Sequence, residues 1–268
     1  MGTSQRSIFE ILILLAITAL GVWLRFHQIG SEGIWLDESF SWQTATLAPV
    51  DAFWWTVVRD QHPPVYYFLL HYWMQLGTGE AHLRTLSALF SAGAIPMTFL
   101  AGRRLLGVPG AILAALLIAI SPFQIRYAQE VRMYAMLTFN ASVAIAALAW
   151  LVTGDHRRRW WALFVIFTAL TMLSHNTAVL FPAAVNVGML LAFLVVQRQQ
   201  APELHLPTLQ HWLFAQAGVF LLWLPWVPFF LRQVFKVDTH FWIPAPTRWS
   251  ILDTVLTLFS FQHQGLWW

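Results

Sequence analysis

The sequence has no cysteine, few charged residues and no short alternating strand pattern, and each of these absences excludes a class of protein. Without cysteine the chain has neither a disulfide nor a thiolate-ligated metal site. Only 10% of its 268 residues are charged, whereas a soluble domain carries about 25%. The apolar runs are long and continuous, which argues against a transmembrane β-barrel.

The abundant residues are apolar and aromatic. The chain is 58% hydrophobic, with 16 Trp and 21 Phe, and its mean hydropathy is +0.60. Such a composition predicts an all-α polytopic membrane protein whose aromatic side chains lie at the bilayer interfaces. The basic residues are scattered or lie beside the apolar runs, so we interpret them as topology signals and lipid-phosphate contacts, not as a nucleic-acid surface.

The apolar runs predict a single transmembrane domain over 1–268, with about seven to eight spans. The first span covers Ile8 to Phe26, and no small-residue cleavage site follows it. An outer loop, 27–82, separates it from the second span and contains two aromatic stretches that we predict to be interfacial helices. The further predicted spans are 83–100, 105–121, 133–152, 160–174, 177–196 and 212–231, and an eighth begins at 251–259.

Basic residues in the short loops predict the orientation. With the N-terminus in the cytoplasm, the inner loops hold tight clusters with few acids, Arg103–Arg104 and Arg157–Arg159. The basic residues of the outer segments are interleaved with acids. This orientation predicts that the acidic pair Asp37–Glu38 and an arginine-containing elbow at 124–132 share the outer face.

Asp37 and Glu38 stand just beyond the first span. A carboxylate at a membrane boundary needs water, a cation or a proton to handle, because burying it alone costs several kcal/mol. The functional interpretation is a general base that takes a proton from an incoming hydroxyl, or a carboxylate assisted by a metal. The alternative is an acidic N-terminus of an interfacial helix.

The elbow carries Arg126, Glu130 and Arg132 between two apolar runs. Arginine presents a planar fork of donors that suits a phosphate. The alternative is an ordinary interfacial arginine that reaches toward water, with Glu130 in a local ion pair. Arg84, at the outer end of the second span, is a further candidate for the same phosphate, or a simple outer anchor.

Two histidines complete the candidate set. His62 lies in the segment Asp60-Gln61-His62-Pro63-Pro64 and is either a proton handler or metal ligand, or a hydrogen-bonded interface residue. His175 interrupts the apolar sequence at a predicted outer turn, where it either lines a cavity or caps a hinge. A weaker signal for sugar stacking comes from the loop with His240, Trp242 and Arg248.

These elements resemble one known family when taken together and in order. Asp-Glu after the first span, His-Pro-Pro followed by Tyr-Tyr, an outer Arg84 and the elbow Tyr-x-Gln-Glu-x-Arg-Met-Tyr are similar to the bacterial branch of the dolichyl-phosphate-mannose protein mannosyltransferases. These are glycosyltransferase family 39-like membrane enzymes of the GT-C fold, and the aminoarabinose transferases acting on lipid A belong to the same wider group. The resemblance covers roughly Ile8 to Leu180.

The resemblance implies a membrane glycosyltransferase of the bacterial inner membrane. It would move a sugar from a polyprenyl-phosphate-linked donor to a hydroxyl of a lipid, glycan or protein acceptor on the extracytoplasmic face, and it leaves a divalent cation as an open option. Asp37 matches the family's catalytic base and Glu38 its neighbour, while His62, Glu130 and Arg132 fall within the family's outer-loop segments. Members of the family are longer, so we expect this chain to lack their C-terminal part.

Two other functions fit the same charges. In a transporter or flippase for a lipid-linked or anionic solute, they would form a translocation site, which predicts charges buried at mid-span. In a non-catalytic membrane subunit they would be purely structural. The sequence contains no Gly-rich phosphate loop and no Asp-x-Asp pair, which argues against a cytoplasmic nucleotide-sugar enzyme.

Overall fold

A computed structural model describes residues 3–60, 62–199, 205–236, 247 and 249–259. Within these ranges the chain is helical and contains no strand, which confirms the prediction of an all-α polytopic membrane protein. The loop with His240, Trp242 and Arg248 lies outside the described residues. The helices are α1 (Thr3–Phe26), α2 (Leu36–Thr46), α3 (Pro49–Arg59), α4 (Val65–Trp73), α5 (Glu80–Leu105), α6 (Gly107–Ile120), α7 (Pro122–Ala128), α8 (Tyr134–Val152), α9 (Arg158–Met172), α10 (Leu180–Gln199), α11 (Leu209–Trp223), α12 (Val227–Lys236) and α13 (Ser250–Phe259).

Five segments among the described residues are long and apolar enough to cross a membrane. The helices α6 and α7 form a sixth candidate, bent by 53°. The sequence-based count of seven to eight also includes α9, at 15 residues, and the stretch that forms α13, at 10 residues. The five unbroken segments are Ile8–Phe26, Glu80–Leu105, Tyr134–Val152, Asn176–Val195 and Leu209–Phe235.

The break between α6 and α7 corrects the predicted elbow, which is helical in its first half. Pro122 occupies the first turn of α7, and the hydroxyl of Ser121 accepts a hydrogen bond from the Gln124 backbone N–H. Proline has no N–H to continue the α6 ladder and favours the first turn of a new helix. A bent helix pair, not a loop, therefore carries Arg126 toward the end of the bundle.

Arg25, fully buried near the end of α1, satisfies the carbonyls that this break leaves free. Its guanidinium donates to the carbonyl oxygens of Ile118 and Ala119, at 3.0 and 2.9 Å, and to Ser91 Oγ at 2.8 Å. Backbone acceptors at membrane depth need such partners because no water reaches them. Arg25 thus joins α1, α5 and the bend.

Small residues let the central helices approach closely. In α6, the side chains of Ala111, Ala115 and Ala119 recur every fourth residue and are fully buried. A Cβ placed on Gly102 of α5 would lie 2.9 Å from the Cα of Ala111, so only glycine fits at this crossing. Spacing of this kind is typical of membrane helix interfaces, where close backbone packing replaces the hydrophobic driving force.

Three short helices, α2, α3 and α4, fold the first long loop over one end of the bundle, where α1 and α6 end and α5 and α8 begin. We name this the Asp37 end. A single apolar cluster joins α2 and α4 to α5, α8 and the chain before α8. Its buried members are Ala45, Tyr66, Tyr67, Leu70, Leu83, Leu86, Val131, Met133 and Met136.

Candidate active site

Glu38 is fully buried near the start of α2 and forms a bidentate ion pair with Arg84 of α5. Its Oε1 accepts from Arg84 Nε at 2.8 Å and from the Val131 backbone N–H at 2.9 Å. Its Oε2 accepts from Arg84 Nη2 at 2.7 Å and from the Trp35 backbone N–H at 3.3 Å. A buried carboxylate is tolerated because each oxygen is paired.

Arg84 has no donor left for a ligand. Besides Glu38, its guanidinium donates to the carbonyl oxygens of Ile29, Glu32 and Gly33, at 3.1, 2.7 and 3.0 Å. Together with the two bonds to Glu38 these use all of its N–H groups. The geometry therefore favours a clamp that holds the loop between α1 and α2, and not the phosphate ligand that the sequence predicts.

Asp37 differs sharply from its neighbour in exposure. Its side chain is 42% exposed, whereas that of Glu38 is 0% exposed. Adjacent residues on a helix project in different directions, so one carboxylate faces inward and the other faces solvent. The nearest paired cation is Arg132, whose Nη2 lies 4.0 Å from Asp37 Oδ2.

Arg132 is buried, and its hydrogen-bonding capacity is underused. Its Nη1 makes two long contacts, 3.5 Å to the Asp37 carbonyl oxygen and 3.4 Å to Ser41 Oγ. Its Nε is buried and finds no acceptor among the residues that the structure describes. Buried donors are nearly always paired in proteins, so this guanidinium is suited to an anion that the chain itself does not supply.

Arg126 and Glu130 form a second, more open pair. Arg126 Nε lies 3.5 Å from Glu130 Oε1, and the Arg126 side chain is 45% exposed. Burial raises the pKa of Glu130 to about 7, although the positive charge of Arg126 opposes the shift. Glu130 therefore changes its charge close to neutral pH.

A chain of hydrogen bonds links the two predicted histidines. Tyr67 Oη donates to Asp60 Oδ2 at 2.6 Å, and His62 Nδ1 lies 2.8 Å from Asp60 Oδ1. His62 Nε2 lies 3.0 Å from His175 Nε2, and His175 Nδ1 accepts from the Thr177 backbone N–H. The network thus assigns the protons: His175 Nε2 donates to His62, and His62 Nδ1 donates to Asp60.

Both ends of this chain stay uncharged at neutral pH. Burial lowers the pKa of His175 to about 4, and His62 and Arg132 act in the same direction. Burial and the Asp60 carboxylate raise the pKa of Tyr67 well above its usual value. The Tyr134 ring lies between this series of hydrogen bonds and Arg132: the ring centre is 5.9 Å from that of His175 and 5.8 Å from Arg132 Cζ.

The structure brings Asp37, Glu38 and Arg132 together at the Asp37 end, with the histidines beside them. Sequence reasoning did not assign roles to Ser41, Asp60 or Tyr67. Ser41 lies one helical turn after Asp37, a spacing that predicts a shared face. Asp60 and Tyr67 flank the His-Pro-Pro segment, but the hydrogen bond between them follows from the fold alone.

No three His, Asp or Glu side chains converge as a metal site within the described residues. Asp60, His62 and His175 are joined in a line by hydrogen bonds instead. The described residues thus do not form a ready cation cage.

Comparison with known proteins identifies the family. A search among curated proteins finds no match. A scan against protein families matches residues 61–229, more than half of the chain, to the family described as dolichyl-phosphate-mannose-protein mannosyltransferase. The matched range contains the two candidate histidines, His62 and His175, and all three candidate arginines, while Asp37 and Glu38 precede it. The chain therefore belongs to this family of multi-pass membrane glycosyltransferases of the GT-C type.

Proposed function

We propose that the chain transfers a sugar from a polyprenyl-phosphate-linked donor to a hydroxyl of an acceptor, with Asp37 as general base. The observation that carries this proposal is that an acidic and a basic side chain with complementary chemistry lie close together. An exposed carboxylate lies 4.0 Å from a buried arginine whose Nε has no acceptor among the described residues. The first can take a proton from a hydroxyl, and the second can bind a phosphate.

The reaction is a single displacement at the anomeric carbon. Asp37 accepts the hydroxyl proton while the hydroxyl oxygen bonds to C1 of the sugar. The bond between C1 and the phosphate oxygen breaks, and polyprenyl phosphate leaves from the opposite face with inversion. Arg132 and the more exposed Arg126 stabilise the charge that develops on the leaving phosphate.

Glu38 and Arg84 take positioning roles in this scheme. Their buried ion pair fixes α2 against α5, and the bond from the Val131 N–H fixes α2 against the segment that carries Arg132. This arrangement sets the distance between base and cation. The hydrogen-bonded pair His62–His175 forms a polar wall beside Arg132, in which His175 is uncharged at neutral pH.

The proposed location is the plasma (inner) membrane of a bacterium, with the N-terminus in the cytoplasm and Asp37 on the extracytoplasmic side. The clusters Arg103–Arg104 and Arg157–Arg159 support this orientation, because short basic loops favour the cytoplasm. The charged residues of the described spans lie near the span ends: Arg25, Glu80, Arg84, Arg126 and Arg232 near the Asp37 end, and Glu10, Arg103 and Arg104 near the other. None of them favours the mid-span translocation site of a transporter.

The donor site is tested by the lipids that the protein retains. We expect mass spectrometry of the detergent-purified chain to detect a polyprenyl-phospho-sugar, and the double variant Arg126→Ala/Arg132→Ala to retain at least about tenfold less. The matched control is Arg157→Ala, which removes an exposed arginine near the other end of the bundle. Equal retention in the double variant and the control would contradict the proposed phosphate site.

Glu130 gives the donor site a pH dependence. As the pH rises through about 7, the Glu130 carboxyl ionises, pairs more strongly with Arg126 and adds a negative charge near the phosphate. Donor retention should therefore fall about two- to fivefold between about pH 6 and about pH 8. A phosphodiester keeps one charge across this range, so the titrating group belongs to the protein.

The variant Glu130→Gln isolates this effect, since its amide does not titrate. We expect it to retain the donor equally well at both pH values, close to the wild-type level at the lower one. A pH dependence that persists in Glu130→Gln would assign the titration to another group.

A further inference from the structure

A cavity lies at the end of the bundle opposite Asp37. Its volume is about 390 Å³. It lies where α8 and α10 end and α9 and α11 begin, so it is separated from Asp37 by the length of the spans. The described side chains that line it include no acid, and they are His156, Arg158, Trp161, Pro207, Thr208 and His211.

Three consecutive arginines precede or begin α9, and they differ in their contacts. Arg157 Nε lies 3.5 Å from Asp155 Oδ1. Arg159 lies over the ring of Trp160, with its Cζ 4.6 Å from the ring centre. Arg158, between them, makes no ion pair with any residue in the described part of the chain, and it is the one that lines the cavity.

The start of α9 is electrostatically unusual. The N-terminus of a helix favours negative charge, because its first backbone N–H groups are unpaired. The first turn of α9 contains no acid, and Arg157 at its N-cap makes no capping bond. The Asp155 carboxylate lies nearby, but it accepts from the Arg157 backbone N–H at 3.3 Å and pairs with the Arg157 side chain, so an anion bound beside Arg158 would supply the counter-charge that Arg158 lacks among the described residues.

The aromatic wall suits an amphipathic ligand. Trp161 lies between the two histidines of the cavity, with ring centres 6.5 Å from His156 and 6.1 Å from His211. Tryptophan favours the membrane–water boundary, where one edge meets headgroups and the other meets acyl chains. Pro207 adds a buried apolar surface at the same place.

We propose that this cavity binds the phosphate headgroup of an anionic phospholipid, in the leaflet opposite the Asp37 end. Arg158 and the Nε2 of His211 supply donors for the phosphate, whereas His156 Nε2 donates to the Leu151 carbonyl oxygen, and Trp161 packs against the glycerol region. Free inorganic phosphate shares the anionic chemistry, but it has no part that would use the aromatic wall. Basic pockets between helices at a membrane surface are a known form of lipid site.

Retention of phosphatidylglycerol by the full chain tests this proposal. The protein is reconstituted in phosphatidylcholine nanodiscs with or without phosphatidylglycerol, extracted in mild detergent, and its bound lipid is measured by mass spectrometry. We expect the wild type and Arg159→Ala to retain phosphatidylglycerol, and Arg158→Ala to retain about tenfold less. Arg159→Ala removes an equal charge from the adjacent position, so it separates the cavity from general basicity.

Two results would overturn the proposal. Equal phosphatidylglycerol in all three proteins, or equal loss in both variants, would exclude a specific site at Arg158. Displacement of phosphatidylglycerol by inorganic phosphate at the same concentration would make this a free-phosphate site. The substitution Arg158→Glu provides a second check, because reversing the charge of this exposed side chain should abolish retention without affecting folding.

Discussion

Replacing Asp37 by Asn is expected to reduce sugar transfer by about 10²- to 10⁴-fold, the range in which loss of a general base falls. The amide is nearly the same size as the carboxylate but cannot accept the hydroxyl proton. Because the Asp37 side chain is 42% exposed and its contact with Arg132 is long, the change should leave membrane insertion intact. The measurement is a transfer assay with the lipid-linked sugar recovered from the wild-type protein.

Asp51→Asn is the matched control for this experiment. Asp51 is an exposed acid in the first turn of α3, within the same outer loop but in none of the contacts of the site. Transfer at the wild-type rate by Asp37→Asn would remove Asp37 from the reaction. Loss of donor retention in parallel with transfer would instead make Asp37 a binding residue, so lipid retention is measured on the same samples.

The spans were predictable because long apolar runs have few alternatives in sequence. Ile8–Phe26 matches the predicted first span, and Tyr134–Val152 begins within one residue of the predicted fourth. The elbow was predicted less well, since its polar residues suggested a loop. The serine cap and the proline at the first turn signal a helix start at Pro122, and these local signals outweighed polarity.

The candidate site was predictable as a set of residues but not as a division of roles. Two adjacent acids are equivalent in sequence, yet burial makes Glu38 a structural ion and leaves Asp37 exposed. The partner that decides this, Arg84, lies 46 residues away. His62 and His175, which form a hydrogen bond, are 113 residues apart in the sequence. Pairings of this kind depend on tertiary packing, for which local spacing carries no signal.

The unsatisfied Nε of Arg132 illustrates the same limit. Sequence identifies an arginine suited to phosphate, but it does not distinguish a cation with free donors from one whose donors are consumed. Arg84 and Arg132 are both buried arginines near the Asp37 end, and sequence reasoning gave them the same role. Only the count of acceptors around each guanidinium separates the clamp from the candidate ligand.

The second large effect is expected for substitution of Arg84, and it concerns the stability of the protein. Arg84→Ala is expected to lower the free energy of unfolding by about 3–5 kcal/mol, because it leaves the Glu38 carboxylate buried without its partner. The matched control on the same helix is Arg103→Ala, whose ion pair with Glu10 involves an arginine side chain that is 49% exposed. Exposed pairs contribute about 0–1 kcal/mol, so thermal unfolding in detergent should separate the two variants clearly.

Arg84→Lys tests whether the charge alone is sufficient. Lysine keeps the positive charge but cannot bond both Glu38 oxygens and three carbonyl groups at once, so we expect it to recover only part of the stability. Protease cleavage between α1 and α2 should accelerate in both Arg84 variants, since these carbonyls hold that segment. If Arg84→Ala instead unfolds like the wild type while losing the donor lipid, Arg84 is a phosphate ligand and the clamp is not its main role.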